Sequence, residues 1–437
     1  MEYNVNHTPD DNSCQEPVNN KQRNKRERTG DNSFWRGLFT GILASLLIAS
    51  CAYTVKQVYT IYRFKEDSKA LEEQIEEPEE IVTDQSMGKI RTIEEVIRQY
   101  YYKDDVETKD MINGMYEGIV ASLEDPYSVY YTTEELQKLM EQTEGIYFGI
   151  GAQIHADINT GLSTIVGVFE NTPAEAVGLR DGDIIYKVDD KSMEGLDASE
   201  VVSYIKGAEG TTVHLTIYRE GEKDYLEFDV TREKIENPTV NYEMLDNKIG
   251  YLQITEFDDI TLDQFTEAMA VLQGQEMKGL ILDLRSNPGG NLNTVTDIAR
   301  QLLPEGLIVY TEDKEGNRTE FSCDGTKEFK LPLVVLVNQY SASASEILAG
   351  AIKDYGIGEL VGKQTFGKGI VQRVLSLSDG TALKLTVSTY FTPNGNNIHG
   401  IGIEPDVECE FDGERYANED YDTQLEKAKE IINEKLK

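Results

Sequence analysis

The chain has 437 residues, too many for one compact core, so two or three domains are expected. Apolar residues make up 39% of it, enough for globular domains. The net charge of −37 excludes nucleic acid as a natural partner, because phosphates attract lysine and arginine, and it favours solubility through self-repulsion.

The first organised feature is an uncharged apolar run over residues 37–55, flanked by Arg36 and Lys56. At about 1.5 Å per residue it reaches roughly 28 Å, close to the thickness of a bilayer's hydrocarbon core. The basic residues on its two sides favour a cytoplasmic N-terminus. We expect an uncleaved signal anchor at the cell membrane. The alternatives are a buried core helix, a cleaved signal, and a lipoprotein site at Ile48-Ala49-Ser50-Cys51 that would acylate Cys51.

Apolar residues at helix spacing follow an acidic spacer and end at Asp125-Pro126. The pattern predicts two packed helices whose apolar faces lie in a core. The residues concerned are Ile93, Val96, Ile97, Tyr100, Tyr101, Met111, Met115, Ile119 and Leu123.

A β-rich module is predicted between residues 136 and 232, with a helix at Ala198–Ile205. Its predicted strands are 147–154, 163–168, 183–188, 211–218 and 225–230. The stretch 173–185 resembles the helix-to-strand segment of a PDZ domain, and Tyr147-Phe148-Gly149-Ile150-Gly151 resembles its carboxylate-binding loop. Glycines let successive backbone N–H groups converge on a carboxylate, and the adjoining sheet edge pairs with an extended peptide. The resemblance therefore implies a site for peptide C-termini at Tyr147, Phe148, Gly149, Ile150 and Gly151.

Beyond residue 236, apolar strands run into turns that open helices, which is typical of an α/β core with ligands at the strand ends. One strand, 279–284, precedes Asn287-Pro288-Gly289-Gly290, and another, Leu333–Val337, precedes Ser341-Ala342-Ser343-Ala344-Ser345-Glu346. A serine at such a turn is exposed beside a helix N-terminus that favours an oxyanion. The competing interpretation is structural: Ser343-x-x-Glu346 fits a capping box, and the glycines fit a tight turn.

The segment Gly362-Lys363-Gln364-Thr365-Phe366-Gly367-Lys368-Gly369 approaches a phosphate-binding P-loop but lacks its final Ser or Thr. A strand, Ile370–Ser376, is predicted after it where a P-loop requires a helix. The functional alternative is a lysine base, which acts only when neutral. Its usual pKa of about 10.4 must then be lowered by burial.

The histidines and cysteines give weaker indications of a catalytic or metal site than the serine and lysine motifs do. The histidines are His7, His155, His214 and His399, and only His399 falls in the α/β core. A Ser-His-Asp triad would therefore have a single candidate histidine. The cysteines Cys14, Cys51, Cys323 and Cys409 have no metal-ligand spacing. Cys323 and Cys409 could pair in an oxidising compartment if the fold brought them together.

Over residues 90–410 the chain resembles the carboxy-terminal processing (tail-specific) proteases, a serine protease family with a Ser-Lys dyad and an inserted PDZ domain. The matching stretches, in order, are 123–128, 148–151, 178–184, 284–290, 341–346, 366–369 with Gln372, and 392–395 through 402–406. The resemblance implies Ser343 as nucleophile, Lys368 rather than Lys363 as base, and Gln372 as the residue that orients the lysine. It also implies backbone N–H groups of Gly289 and Ala344 as the oxyanion hole. The chain departs from the family at Leu123-Glu124-Asp125, where Leu-Asp is usual, and at Tyr127, where His is common. Neither departure is expected to touch the chemistry.

The predicted fold is an α/β protease core of the crotonase/Clp type with an inserted PDZ domain, an N-terminal helical segment and a single transmembrane helix. The predicted segments are a cytoplasmic tail (1–36), transmembrane helix (37–55), spacer (56–85), helical part of the protease (86–135), PDZ domain (136–232), protease core (233–410) and helical tail (411–437).

The predicted function is an extracytoplasmic, membrane-anchored serine endopeptidase that captures protein substrates by apolar C-termini, with no metal or other cofactor. A homo-oligomer is compatible with the sequence but not required by it. The alternative is a catalytically silent PDZ adaptor at the membrane.

Overall fold

The computed structural model describes residues 53–59, 62–63, 80–157 and 161–437. The chain divides into two compact units, Met1–Asp105 and Val106–Lys437. Most of the predicted membrane segment, up to residue 52, lies outside the described residues. Residues 53–55 are helical and exposed. Among the described residues, no helix combines the length and apolar character needed to cross a bilayer.

In the first unit, helix α1 (Asp84–Tyr100) begins at Thr83, whose side chain accepts the N–H of Ser86 while the Ser86 hydroxyl accepts the N–H of Thr83. The expected core face of this helix is wrong: α1 has no buried residue, and Ile93 and Val96 are about half exposed. The described part of this unit supplies no second layer that could cover them.

The second unit begins with helix α2 (Thr108–Ala121), strand β1 (Val129–Tyr131) and helix α3 (Thr133–Glu144). Helix α2 also differs from the expected core face, since Met115 and Ile119 are exposed and Val120 is its buried residue. The helix is amphipathic as predicted, but its more apolar side is not the side covered within the unit.

The β-rich module has its own core, built from the inward residues of an antiparallel sheet and its helices. Its elements are β3 (Ala152–Asp157), β4 (Leu162–Val168), α4 (Pro173–Val177), β5 (Ile184–Val188), β6 (Lys191–Ser192), α5 (Ala198–Ile205), β7 (Thr212–Tyr218) and β8 (Leu226–Thr231), with β2 (Ile146–Gly149) just before them. The predicted single strand over 147–154 is wrong. It divides at Gly151, whose positive φ of 83° bends the chain, so β2 pairs outside the module with β9 (Glu233–Glu236).

The α/β core is built on a largely parallel sheet in the order β10-β11-β12-β15-β16-β19. Its strands are β10 (Val240–Leu245), β11 (Ile249–Ile254), β12 (Gly279–Asp283), β15 (Leu333–Val337), β16 (Glu359–Gly362) and β19 (Val407–Glu408). Helices cover both faces: α6 (Thr261–Gly274), α7 (Leu292–Ala299) and α8 (Ala344–Tyr355) on one, and α10 (Thr423–Lys435), after the short α9 (Gly413–Glu419), on the other. Strands β12 and β15 are buried throughout, as their unbroken apolar sequence predicts.

A second, antiparallel sheet packs beside this core and carries β1 in the order β1-β18-β13-β14, with β17 also paired to β18. Its other strands are β13 (Gly306–Asp313), β14 (Arg318–Cys323), β17 (Ile370–Ser376) and β18 (Ala382–Phe391). The predicted strand after Lys368 is therefore confirmed.

The two cysteines of the core region are not paired. Cys323 is buried in the cluster on one face of the parallel sheet, whereas Cys409 packs against the cluster on the opposite face. The sheet itself separates them, so the conjectured disulfide is wrong.

Candidate active site

The predicted catalytic residues follow neighbouring strands of the parallel sheet. Strand β12 runs into the turn that contains Gly289, β15 runs into the turn that contains Ser343, and β16 runs into the loop that contains Lys368. Because the carboxyl ends of parallel strands meet at one edge of a sheet, these three segments converge.

Ser343 sits in a strained turn directly before helix α8. Its φ of 55° and ψ of −114° lie in a region that non-glycine residues rarely occupy. Its N–H donates to Glu346 Oε2 at 2.9 Å, so the Glu346 half of the predicted capping box forms. The cap and a partly exposed serine at a helix N-terminus therefore coexist.

Gly289 packs against this turn with a φ of 109°. A Cβ atom here would lie 2.7 Å from Ser343 Cβ and 3.0 Å from the backbone nitrogen of Ala344. Glycine is thus required by both conformation and space, and its backbone reaches the nucleophile turn as an oxyanion hole would need.

The two predicted oxyanion donors differ in their present partners. The Gly289 N–H donates to Asn287 Oδ1 at 2.8 Å. The Asn287 side chain in turn donates to the carbonyl of Ile254 at 2.9 Å. In residues 161–437, no hydrogen bond engages the Ala344 N–H. The Ala344 donor is therefore available, whereas the Gly289 donor must first leave Asn287.

Lys368 is half-buried, and its ammonium nitrogen lies 4.6 Å from the centroid of the Tyr127 ring. Burial, and then the charge of Lys384, lower the pKa of Lys368 below its ordinary value, while the Asp125 carboxylate acts in the opposite direction. No hydrogen bond joins Lys368 Nζ to the Ser343 hydroxyl in the described part of the unit. The pKa of Lys368 is thus lowered, and its ammonium group is turned toward Tyr127.

Gln372, the predicted orienting residue, donates from Nε2 to the Thr386 hydroxyl at 3.3 Å. The Thr386 N–H donates to the Ser128 hydroxyl, which donates to Asp125 Oδ2 at 2.6 Å. The segment 125–128 therefore connects with both Gln372 and Lys368. The expectation that Tyr127 lies away from the chemistry is wrong, because the loop after α2 folds over the lysine.

The structure argues against three alternatives: Lys363 as the base, a P-loop, and His399 as a catalytic histidine. Lys363 is bound by Glu408 at 2.9 Å and by Glu410, so its ammonium group is already paired. Its loop continues into strand β17 rather than a helix, which rules out the P-loop interpretation. His399 is exposed and contributes its backbone beside Gly369.

A groove of about 230 Å³ lies between the edge strand β3 and helix α5. It is lined by four of the predicted peptide-binding residues, Tyr147, Gly149, Ile150 and Gly151. Phe148 is not among its lining residues and is exposed. Lys206 also lines the groove, with Nζ 4.7 Å from the centroid of the Tyr147 ring. A sheet edge beside a helix is the geometry that accepts an extended peptide as an added strand.

Comparison with known proteins gives three family matches along the chain. Residues 248–409 match peptidase family S41, residues 164–219 match the PDZ domain, and residues 46–135 match the N-terminal domain of the activating protease CtpB. The carboxy-terminal processing protease CtpB of Bacillus subtilis is 34% identical over 328 residues, which cover 74% of this chain and 68% of that protein. The chain belongs to peptidase family S41, among the carboxy-terminal processing proteases.

Other members of the family cover the same region. The carboxyl-terminal-processing protease of Synechocystis is 36% identical over 315 residues, which cover 71% of this chain and 74% of the relative. Among solved structures, a photosystem II D1 C-terminal processing protease is 29% identical and aligns with 75% of this chain and 94% of its own, with a TM-score of 0.44. This S41 member is a serine-type peptidase with an inserted PDZ domain.

Three side chains that contact the site are not found by sequence reasoning. Tyr127 lies in a matching stretch, but at a position where the chain departs from the family. Glu346 is predicted only as a helix cap. Nothing in the sequence distinguishes Tyr390 from other core residues, because an aromatic residue in a strand is usually buried in the core.

Proposed function

We propose that Ser343 and Lys368 form the Ser-Lys dyad of this peptidase. The observation that carries the proposal is the convergence of the Ser343 turn, the Gly289 turn and the Lys368 loop at one sheet edge. The lowered pKa of Lys368 supports the same assignment, because a lysine can accept a proton only when neutral.

In the proposed reaction, neutral Lys368 Nζ takes the hydroxyl proton as Ser343 Oγ attacks a peptide carbonyl. The resulting oxyanion is bound by the N–H groups of Ala344 and Gly289. Lys368 then gives its proton to the leaving amine, and an acyl-enzyme remains. Water attacks the ester with Lys368 again as base, which releases the product and restores Ser343.

Three movements complete the site in this proposal. Lys368 Nζ turns from the Tyr127 ring toward Ser343, and the Gly289 N–H leaves Asn287 for the substrate oxygen. Gln372 exchanges its Thr386 partner for Lys368 and orients it. Catalytic hydrogen bonds are often formed only once substrate is bound, so the present arrangement suits the enzyme before substrate arrives.

The PDZ groove is proposed to capture the C-terminus of a substrate protein, with an apolar residue near the end. The open edge of β3 and the groove between it and α5 support this role. Tyr147, Gly149, Ile150 and Gly151 would surround the tail, and Phe148 would act only through its backbone. Residues 37–55 are proposed to anchor the enzyme in the cell membrane with the peptidase extracytoplasmic.

The test is cleavage of an unstructured protein with an apolar tail by the full chain. Ser343→Ala and Lys368→Ala should each abolish cleavage at neutral pH, whereas the matched Lys363→Ala should retain it. Labelling by a serine-directed phosphonate should be lost in Ser343→Ala. Cleavage retained by Ser343→Ala would refute the dyad, and a tail peptide bound but never shortened by the wild type would indicate an adaptor.

A further inference from the structure

Glu346 is a fully buried carboxylate with more partners than a helix cap requires. Its Oε2 accepts the N–H groups of Ser343 and Lys368, each at 2.9 Å. Its Oε1 accepts the Thr365 hydroxyl at 2.5 Å and the Gly367 N–H at 2.7 Å. One oxygen atom therefore binds the backbone of both members of the proposed dyad.

The difference from an ordinary capping glutamate can be seen within the chain. Glu135, at the same position in helix α3, accepts the N–H and hydroxyl of Thr132, its own cap residue. Glu346 accepts only the N–H of its cap residue, Ser343, but it also accepts hydrogen bonds from three groups of the loop 365–368. Charged acceptors form the stronger hydrogen bonds, so this loop is held tightly to the start of α8.

Tyr390 contacts the same two residues, but at their carbonyl oxygens rather than at their N–H groups. Its hydroxyl lies 2.9 Å from the Ser343 carbonyl oxygen and 2.6 Å from the Lys368 carbonyl oxygen. The side chain is 1% exposed. Burial and the nearby Glu346 charge raise the pKa of Tyr390 well above its ordinary value, so its hydroxyl keeps its proton and remains a donor.

The N–H groups of Ser343 and Lys368 are thus both bound by Glu346, and their carbonyl oxygens share the single O–H of Tyr390 as a bifurcated donor. We propose that Glu346 and Tyr390 form a clamp that fixes the backbone of the nucleophile relative to the backbone of the base. Both are positioning residues, and neither exchanges a proton with substrate. Their role rests on the proposed Ser343–Lys368 dyad.

The clamp matters because Ser343 and Lys368 come from different segments. Ser343 is held in a strained turn, and Lys368 lies in a loop without regular secondary structure. A general base must reach its proton within hydrogen-bond distance, and a displacement of about 1 Å can cost about 10²-fold in rate. Fixing both backbones leaves only the Lys368 side chain to move.

The first test compares Tyr390→Phe, Glu346→Gln and the control Glu135→Gln in the full chain. Tyr390→Phe removes only the hydroxyl. Glu346→Gln keeps the shape but presents an NH₂ group to two of the four donors. Both should lower kcat by about 10²-fold with KM changed less than about twofold, and both should slow phosphonate labelling of Ser343 equally. Glu135→Gln should match the wild type in all three.

A capping role alone predicts a different result. Glu346→Gln would then lower only the melting temperature, as Glu135→Gln does, and kcat of the folded enzyme would stay within about threefold of the wild type. That outcome, or a Tyr390→Phe enzyme with normal kcat, would overturn the clamp. Failure of the dyad itself would be seen separately, as cleavage retained by Ser343→Ala.

A second measurement uses only the wild-type protein, so it does not depend on whether a Glu346 variant folds. The N–H groups of Gly367 and Lys368 bind only the Glu346 carboxylate, although their loop has no regular secondary structure. In wild-type protein these two amides should exchange with deuterium as slowly as that of Ser343. Rapid exchange at 367 and 368 beside a protected Ser343 would show that no clamp is present.

Discussion

The ammonium group of Lys368 rests against the face of Tyr127, with Nζ 4.6 Å from the ring centroid. An aromatic face attracts a cation, so Tyr127 stabilises the charged form of the lysine, whereas burial favours the neutral form. The pKa of Lys368 is therefore subject to opposing influences: burial and Lys384 lower it, whereas Asp125 and the Tyr127 ring favour the charged form.

Replacing Tyr127 by leucine should make Lys368 a base at lower pH. Leucine keeps the apolar cover but removes the aromatic face, which is worth about 0.5–2 kcal/mol to the cation. Since one pKa unit corresponds to about 1.4 kcal/mol, the pH of half-maximal cleavage should fall by about 0.4 to 1.4 units. The matched variant Tyr127→Phe keeps the face and should leave the midpoint unchanged. An equal shift in both variants would contradict the cation–π account.

Lys384 should act in the opposite direction. Its positive charge is a secondary cause of the lowered pKa of Lys368. Lys384→Gln should therefore raise the pKa of Lys368 and move the midpoint of the pH profile upward at low salt. Lys384→Arg preserves the charge and serves as the control. Because salt screens charge–charge interactions, the difference between the two variants should shrink at high ionic strength. A difference that persists unchanged would argue for a steric cause.

Gly289 should tolerate no side chain. Its φ of 109° and the 2.7 Å separation from Ser343 Cβ mean that Gly289→Ala must displace either the turn or the nucleophile. Loss of one oxyanion donor costs about 10²–10³-fold in kcat, and we expect a loss of that size. At Gly114, in α2, a Cβ would meet no atom of the described residues within 4 Å, so Gly114→Ala should remain active. Binding of a tail peptide to the PDZ groove should survive in both variants, which separates loss of chemistry from loss of fold.

The sequence predicts the fold best where one periodicity dominates. Strand β15 and helix α5 have the predicted bounds, because an unbroken apolar run and an Asp197-x-x-Glu200 cap leave little ambiguity. Prediction fails where the outcome depends on distant partners: the apolar face of α1 implies a core that the described residues of its unit do not supply, and Gly151 divides a strand whose sequence is continuous.

The site shows the same division. Ser343, Gly289 and Lys368 can be found because each follows a strand or belongs to a recognisable motif. Tyr127 and Tyr390 could not be predicted as site residues, because their contacts with Lys368 are seen only in the folded structure. The partners of Asn287 and Gln372 are also unpredictable, since local sequence does not determine which acceptor an amide side chain selects.

Asp258 provides a test of stability that is independent of catalysis. Its carboxyl is 3% exposed, and within the described residues its Oδ2 has no hydrogen-bond partner. Burial, and then the charges of Glu256 and Asp259, raise the pKa of Asp258 to about 7. In the unfolded chain an aspartate ionises near pH 3.9, so between about pH 4 and pH 7 the folded state holds the extra proton. Stability contributed by this proton is complete below about pH 4, falls progressively between pH 4 and pH 7, and is gone above pH 7.

Asp258→Asn should remove that loss, because an amide keeps the shape without ionising. Urea unfolding followed across pH should find the variant more stable than the wild type above pH 7, by up to about 4 kcal/mol for a shift of about three pKa units, with the two converging near pH 4. Asp263→Asn, an exposed neighbour in α6, controls for the change in net charge and should leave the pH dependence of the wild type intact. If Asp258→Asn keeps the wild-type slope between pH 4 and 7, the carboxyl is already ionised in the folded protein, and a cation or water must compensate its buried charge.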